Sequence, residues 1–124
     1  VIVTGASKGI GKATALKLIS EGYKVIGISR THTIKNKNYI GVSQNLSDLD
    51  GLIICIDNIL KKYKNLHALV SNAGEGIFDN IENISDEEIK SYFNLNLISH
   101  IVIAKKDNSS LKKEKKRIFN FYRF

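Results

Sequence analysis

The feature that most constrains this chain is its opening, where Val1-Ile2-Val3-Thr4 runs straight into Gly5-Ala6-Ser7-Lys8-Gly9-Ile10-Gly11. A short β-branched apolar run with no polar alternation reads as a strand buried on both faces. The glycines that follow read as a tight turn. Gly11, Thr14, Ala15, Leu18 and Ile19 then recur at helical spacing, and Gly22 supplies a stop. A buried strand feeding a helix through a glycine turn predicts a crossover to a second, parallel strand.

The rest of the chain keeps that alternation. Lys24–Ser29 reads as a second strand, 31–38 as a polar loop and Tyr39–Ser43 as a third strand. Ser47 and Asp50 have the spacing of a capping box, and Leu49, Leu52, Ile53, Ile56, Leu60 and Tyr63 line one face of the helix behind them. Leu66–Ser71 is a fourth strand, followed by a loop with Gly74 and Gly76. Ser85 and Glu88 form a second capping box, with Ile84 and Ile89 at staple positions, and that helix is expected to run to about Lys106. Ile118–Tyr122 is a candidate fifth strand. The prediction is α/β: a doubly wound, Rossmann-type parallel sheet of strand order 3-2-1-4-5, with no internal repeat and no linker.

Charge matters here for where it sits. The formal net charge is +7, yet residues 105–124 carry eight Lys/Arg against two Asp/Glu, and residues 1–104 are nearly balanced. A basic tail of this kind reads as a solvated turn, so no nucleic-acid partner is expected. No apolar run approaches the length of a membrane span, so no membrane partner is expected either. The single cysteine, Cys55, excludes an intrachain disulfide and fits a cytoplasmic setting. No metal-ligand cluster stands out. The chain opens in an apolar stretch without a Met, which reads either as a start that was removed or as a piece of a longer protein.

A glycine turn between strand and helix lets backbone approach a pyrophosphate, and the helix N-terminus offers free N–H groups and partial positive charge to the anion. A tight turn with no ligand would use the same glycines. The spacing is G-x-x-x-G-x-G, and Ser71-Asn72-Ala73-Gly74 closes the fourth strand, with Leu95-Asn96-Leu97 in the following helix. Together these segments resemble the short-chain dehydrogenase/reductase family, with its T-G-x-x-x-G-x-G turn, its N-N-A-G motif and its V-N-L segment. The resemblance covers Val1 to about Ala104, and more loosely extends to Phe121. It implies that Gly5, Gly9 and Gly11 cradle the pyrophosphate with Ile10 packed beside it, and that Ser7 and Lys8 of the same turn also belong to the cofactor site. It further implies that Asn72 braces the central strands, with Ala73 and Gly74 near the adenosine ribose. Asn45 and Leu46 stand where the family has an Asp and an apolar residue beside the adenine. Ser71 departs from the usual Asn.

Asn96 falls on or beside the apolar face of its helix, where an amide needs partners. It reads either as a satisfied structural amide or, by the resemblance, as the Asn of the catalytic tetrad. His67 and His100 read as structural or solvated. The cofactor is expected to be NADP rather than NAD. The second strand ends at Ser29, where NAD binding would place an acid, and Arg30 and Lys8 can meet a 2′-phosphate. The resemblance also implies a small carbonyl or alcohol substrate and a homo-oligomeric parent. The family's chemistry needs a Ser after the fifth strand and a Tyr-x-x-x-Lys pair. None of the five tyrosines is followed by Lys four residues on. The chain therefore reads as the cofactor-binding half of an oxidoreductase, inactive by itself. The alternatives are a non-catalytic dinucleotide-binding module and a non-functional remnant.

Overall fold

The computed structural model describes the backbone of residues 1–64, 66–111 and 117–120, and the side chains of residues 1–64 and 66–106. Five parallel strands form one sheet: β1 (Ile2–Thr4), β2 (Val25–Ser29), β3 (Tyr39–Ser43), β4 (Ala68–Ser71) and β5 (Arg117–Asn120). Their order is β3-β2-β1-β4-β5, as the sequence pattern predicts. Helix α1 (Gly9–Ser20) follows β1, and α2 (Leu49–Lys62) follows β3. After β4 come a 3-10 turn (Ile81–Asn83), α3 (Asp86–Phe93), a π-helical turn (Asn94–Ile98) and α4 (Ser99–Leu111).

The pleat explains the two layers. Ile2, Ile26, Ile28 and Leu69 point to one face, where Leu52 and Ile56 of α2 and Ile103 of α4 bury them. Their strand neighbours Val3, Val25 and Val70 point to the opposite face, against Ala15 of α1. Every residue of β1 and β2 is buried, because helices cover both faces of the central strands. Lys106 Nζ reaches both carboxylate oxygens of Asp57 at 2.8 Å and ties α4 to α2, so this lysine belongs to the helix pair rather than to a basic tail.

Three local expectations change. The α2 cap is Asp48, whose carboxylate accepts from Gly51 N at 3.1 Å, and Ser47 instead donates its hydroxyl to Asn45 Oδ1. The cap moves one residue because the preceding Asn45 offers Ser47 a local partner. The box at Ser85 and Glu88 forms as read. The helix behind it is not uniform. It widens to π geometry at 94–98 and then continues through 107–110, beyond the expected end. The fifth strand begins one residue earlier than expected. Residues 121–122 of that expected strand, and the expected basic turn at 112–116, lie outside the described residues.

On the β3 edge, Gly27 and Gly41 are register partners. A side chain at Gly27 would collide with the Tyr39 ring, and one at Gly41 with the His32 ring. The paired glycines thus make a flat seat for two rings that touch each other, with His32 Nδ1 and Tyr39 Oη 2.9 Å apart. Burial raises the Tyr39 phenol above its ordinary pKa.

Candidate functional site

The C-terminal ends of β1 and β4 lie side by side, and the segments that follow them face each other. This is the switch point at which chain direction across the sheet reverses, the usual crevice for a ligand in such sheets. The first wall is the glycine turn. Gly5 N donates to Ile28 O at 2.8 Å and Gly5 has φ 68°, with Ala73 backbone pressed where a Cβ would stand. Gly11 lies against Gly5 O and the Asn72 amide, so the first turn of α1 packs directly on the turn before it. Gly9 differs: its φ is 55°, but among the described residues nothing outside its own chain neighbours and helix backbone lies within 4 Å of the position a Cβ would take. Lys8 is the N-cap of α1, and its side chain makes no capping hydrogen bond. Its first turn carries no acidic residue either, which leaves its positive end open to an anion. Ile10 and Lys8 are exposed at the rim, and the Ser7 carbonyl accepts from Thr33 Oγ1 at 3.3 Å.

The second wall is the segment after β4. Thr4 Oγ1, fully buried, accepts from both Asn72 N (2.9 Å) and Ala73 N (3.0 Å). Asn72 Nδ2 donates to Thr4 O at 3.1 Å and reaches Gly5 O at 3.5 Å. The bracing of the central strands expected of Asn72 is therefore present as hydrogen bonds between the two walls.

Asn96 sits in the π turn and binds one residue twice: its Oδ1 accepts from Glu75 N and its Nδ2 donates to Glu75 O, both at 2.9 Å. This is a satisfied amide at a half-exposed position. It holds the segment after Gly74, whose own hydrogen side faces Asn96 Oδ1. π turns concentrate at functional positions because they displace a side chain from regular helical phase. The sequence carries no signal for this one.

The remaining expected residues lie around the β2 and β3 ends. Ser29 is 6% exposed and donates to Thr31 O, so the end of β2 presents no acid. Arg30 is exposed and pairs with Glu75 at 3.7 Å, spanning from the β2 end to the segment after β4. Sequence reasoning did not foresee that partner. No contact joins Arg30 to Lys8 among the described interactions. Leu46 is buried in the core. Asn45 Oδ1 is already engaged by the Ser47 amide (3.2 Å) and hydroxyl (2.8 Å), so an adenine amino group would have to share that carbonyl. His67 is exposed at the opposite end of the sheet. His100, read as structural or solvated, is half-buried and bonded at both ring nitrogens, to Ser71 Oγ and, at 2.8 Å, to Ala73 O. Burial holds its pKa below the ordinary value, against the raising effect of the Ala73 carbonyl.

Among the described residues, no group of His, Cys, Asp or Glu has the geometry to hold a metal ion, and no helix is long and apolar enough to cross a membrane. The residues present do fit a dinucleotide. The uncapped helix end, the open space over Gly9 and the absence of acid at the β2 end together leave a cradle suited to a phosphorylated ligand.

Comparison with known proteins agrees with that architecture. A 3-oxoacyl-acyl-carrier-protein reductase of Buchnera aphidicola is 35% identical over 111 residues, covering 81% of this chain and 45% of the relative. The ligand-free aldohexose dehydrogenase of Thermoplasma acidophilum superposes with a TM-score of 0.84 at 32% identity, covering 96% of this chain and 47% of that one. A short-chain dehydrogenase family protein of Francisella tularensis gives 0.78 at 30% identity, covering 88% and 45%. The chain thus spans under half the length of these relatives. The family model for short chain dehydrogenase matches residues 1–120, nearly the whole sequence, and with the glycine turn and the Asn72 brace in place the chain belongs to the short-chain dehydrogenase/reductase family.

Proposed function

We propose that this chain is the dinucleotide-binding half of an NADP-dependent oxidoreductase acting on a small carbonyl or alcohol. The observation that carries the proposal is the open, uncapped N-terminus of α1 over a positive-φ Gly9, beside a β2 end with Ser29 and Arg30 in place of an acid. The bound nicotinamide would supply the hydride. The chain's own residues bind and orient. Gly5, Gly9 and Gly11 admit the pyrophosphate to the backbone N–H groups of α1, with Ser7 and Ile10 beside it. Ala73 and Gly74 form the opposing wall at the ribose, and Asn45 and Leu46 flank the adenine. Arg30, released from Glu75, and Lys8 meet the 2′-phosphate. Asn96, through its hold on the Glu75 backbone, keeps the catalytic end of the cleft in register.

A titration with NADPH and NADH tests the cofactor choice. The wild-type chain is expected to prefer NADPH, and Lys8→Ala with Arg30→Ala to weaken NADPH by at least about tenfold while changing NADH little. Equal losses for both nucleotides would remove these residues as readers of the 2′-phosphate. No Tyr-x-x-x-Lys pair occurs in the 124 residues, so the chain by itself is expected to reduce no carbonyl above a cofactor-only control. That same absence favours a second reading, a dinucleotide-binding module without catalysis. The two readings part on whether a longer protein containing this chain turns over. The homo-oligomer and the cytoplasmic setting belong to the same proposal.

A further inference from the structure

We infer that His100 is a positioning residue for the nucleotide site, acting through Ala73 on the glycine turn, and that the Ser71 hydroxyl helps to orient its ring. The inference rests on the dinucleotide reading above.

The two ring contacts fix the tautomer. The Ala73 carbonyl can only accept, so His100 Nε2 carries the hydrogen and donates at 2.8 Å. Nδ1 is then a bare acceptor, and the Ser71 hydroxyl donates to it. Both interactions end on the last residues of β4 and the first of the segment behind it. Ala73 is the position where this matters. Its N–H is held by buried Thr4 Oγ1, and its Cα lies where a Cβ of Gly5 would go. Ala73 therefore has three constraints: Thr4 from β1, the Gly5 backbone from the turn, and His100 from α4. Without His100, the carbonyl side of Ala73 loses its only side-chain anchor among the described interactions, and the wall facing Gly5 can rotate away from it.

His100 also stands one turn beyond Asn96 on the same helix, and Asn96 holds Glu75 by both backbone groups. The two side chains grip Ala73 and Glu75, on either side of Gly74. A helix that holds one wall of the cleft at two points transmits its own position to that wall. The small Ser71 supplies the hydroxyl while leaving room for the imidazole between β4 and α4. This assigns a use to the serine that departs from the family's Asn.

The test is a titration of the full chain with NADPH and NADH, run below each variant's melting temperature. The variants are His100→Ala, His100→Gln, Ser71→Ala and the double change to Ala. His100→Ala is expected to weaken both nucleotides about equally, by about tenfold, because the Ala73 wall serves the part common to both. Ser71→Ala should cost about threefold. The double variant should be no weaker than His100→Ala, since the pair acts as one unit. His100→Gln, which offers one donor and one acceptor, should recover most of the affinity. A purely structural role predicts a lower melting temperature with unchanged affinity, and that result would overturn the inference. So would additive losses, no recovery in His100→Gln, or a loss confined to NADPH. If His100→Ala does not fold, Ser71→Ala and His100→Gln carry the same comparison. Failure of the wild-type chain to bind either nucleotide would overturn the dinucleotide reading and this inference with it. Wild-type binding with indifferent variants would overturn the inference alone.

Discussion

The two walls of the cleft are held by different means. The wall after β1 is shaped by backbone: positive φ at Gly5 and Gly9, and contact of Gly11 with the Gly5 carbonyl. The wall after β4 is shaped by side chains that arrive from elsewhere, namely Thr4 from β1 and Asn96 and His100 from the α4 region. A wall made of backbone resists an added atom wherever it is closely packed, as at Gly5 and Gly11. A wall made of side chains can be tuned one hydrogen bond at a time. The first is therefore the more rigid wall, and the second is the one that a single substitution can loosen.

The largest expected effect breaks the backbone wall. Gly11→Ala drives a methyl group into the Gly5 carbonyl and the Asn72 amide, and should lower stability by about 3 kcal/mol in a denaturant titration. Gly9→Ala adds its methyl to open space, so only the positive φ opposes it, at about 1 kcal/mol. If the two variants were equally stable, close packing would not be what fixes this wall. Next comes Thr4→Val, which keeps shape but strips the acceptor from the amides of Asn72 and Ala73. A loss of about 2 kcal/mol is expected, with nucleotide affinity falling as well.

A pH series sharpens the comparison from the side-chain wall. His100 has a lowered pKa in the folded chain, because burial disfavours its charged form. Its contribution to stability is thus complete above the unfolded value of about 6.5 and is lost as pH falls through the lowered folded value. Denaturation of the wild type and of His100→Gln across that range should show the wild type losing more. Parallel curves would mean that the imidazole need not stay neutral. The smallest effect is at the rim. Glu75→Gln removes the competitor of Arg30, an exposed pair at 3.7 Å, and should tighten NADPH binding about threefold with NADH unchanged.

Legibility in the sequence follows the same division. The alternation of strands and helices, the two-faced core and the glycine turn could be read because they depend on local pattern, whereas the strand order could be read only by analogy with a Rossmann domain. β-branched runs, helical spacing and glycine positions are all properties of neighbouring residues. The Ser85–Glu88 box was legible for the same reason, while the α2 cap was misread by one residue because Ser47 turned to Asn45. Asn72 was visible only through its motif, and Asn96 through its motif and its place beside an apolar helix face. Nothing in their local sequence states that one amide joins two strands or that the other sits in a π turn.

The sequence by itself therefore determined which family of folds this chain can adopt and where its backbone takes a positive φ between β1 and α1. A glycine has to accept φ near +60° wherever the rest of the chain happens to lie. Tertiary structure alone decided the partners: His100 with Ser71 and Ala73, Arg30 with Glu75, and Lys106 with Asp57. Each pair is separated by at least 27 residues in sequence. Such contacts depend on the register of the sheet and on α2 and α4 covering one face, because a hydrogen bond or ion pair has a reach of a few ångströms and no signature in the local pattern.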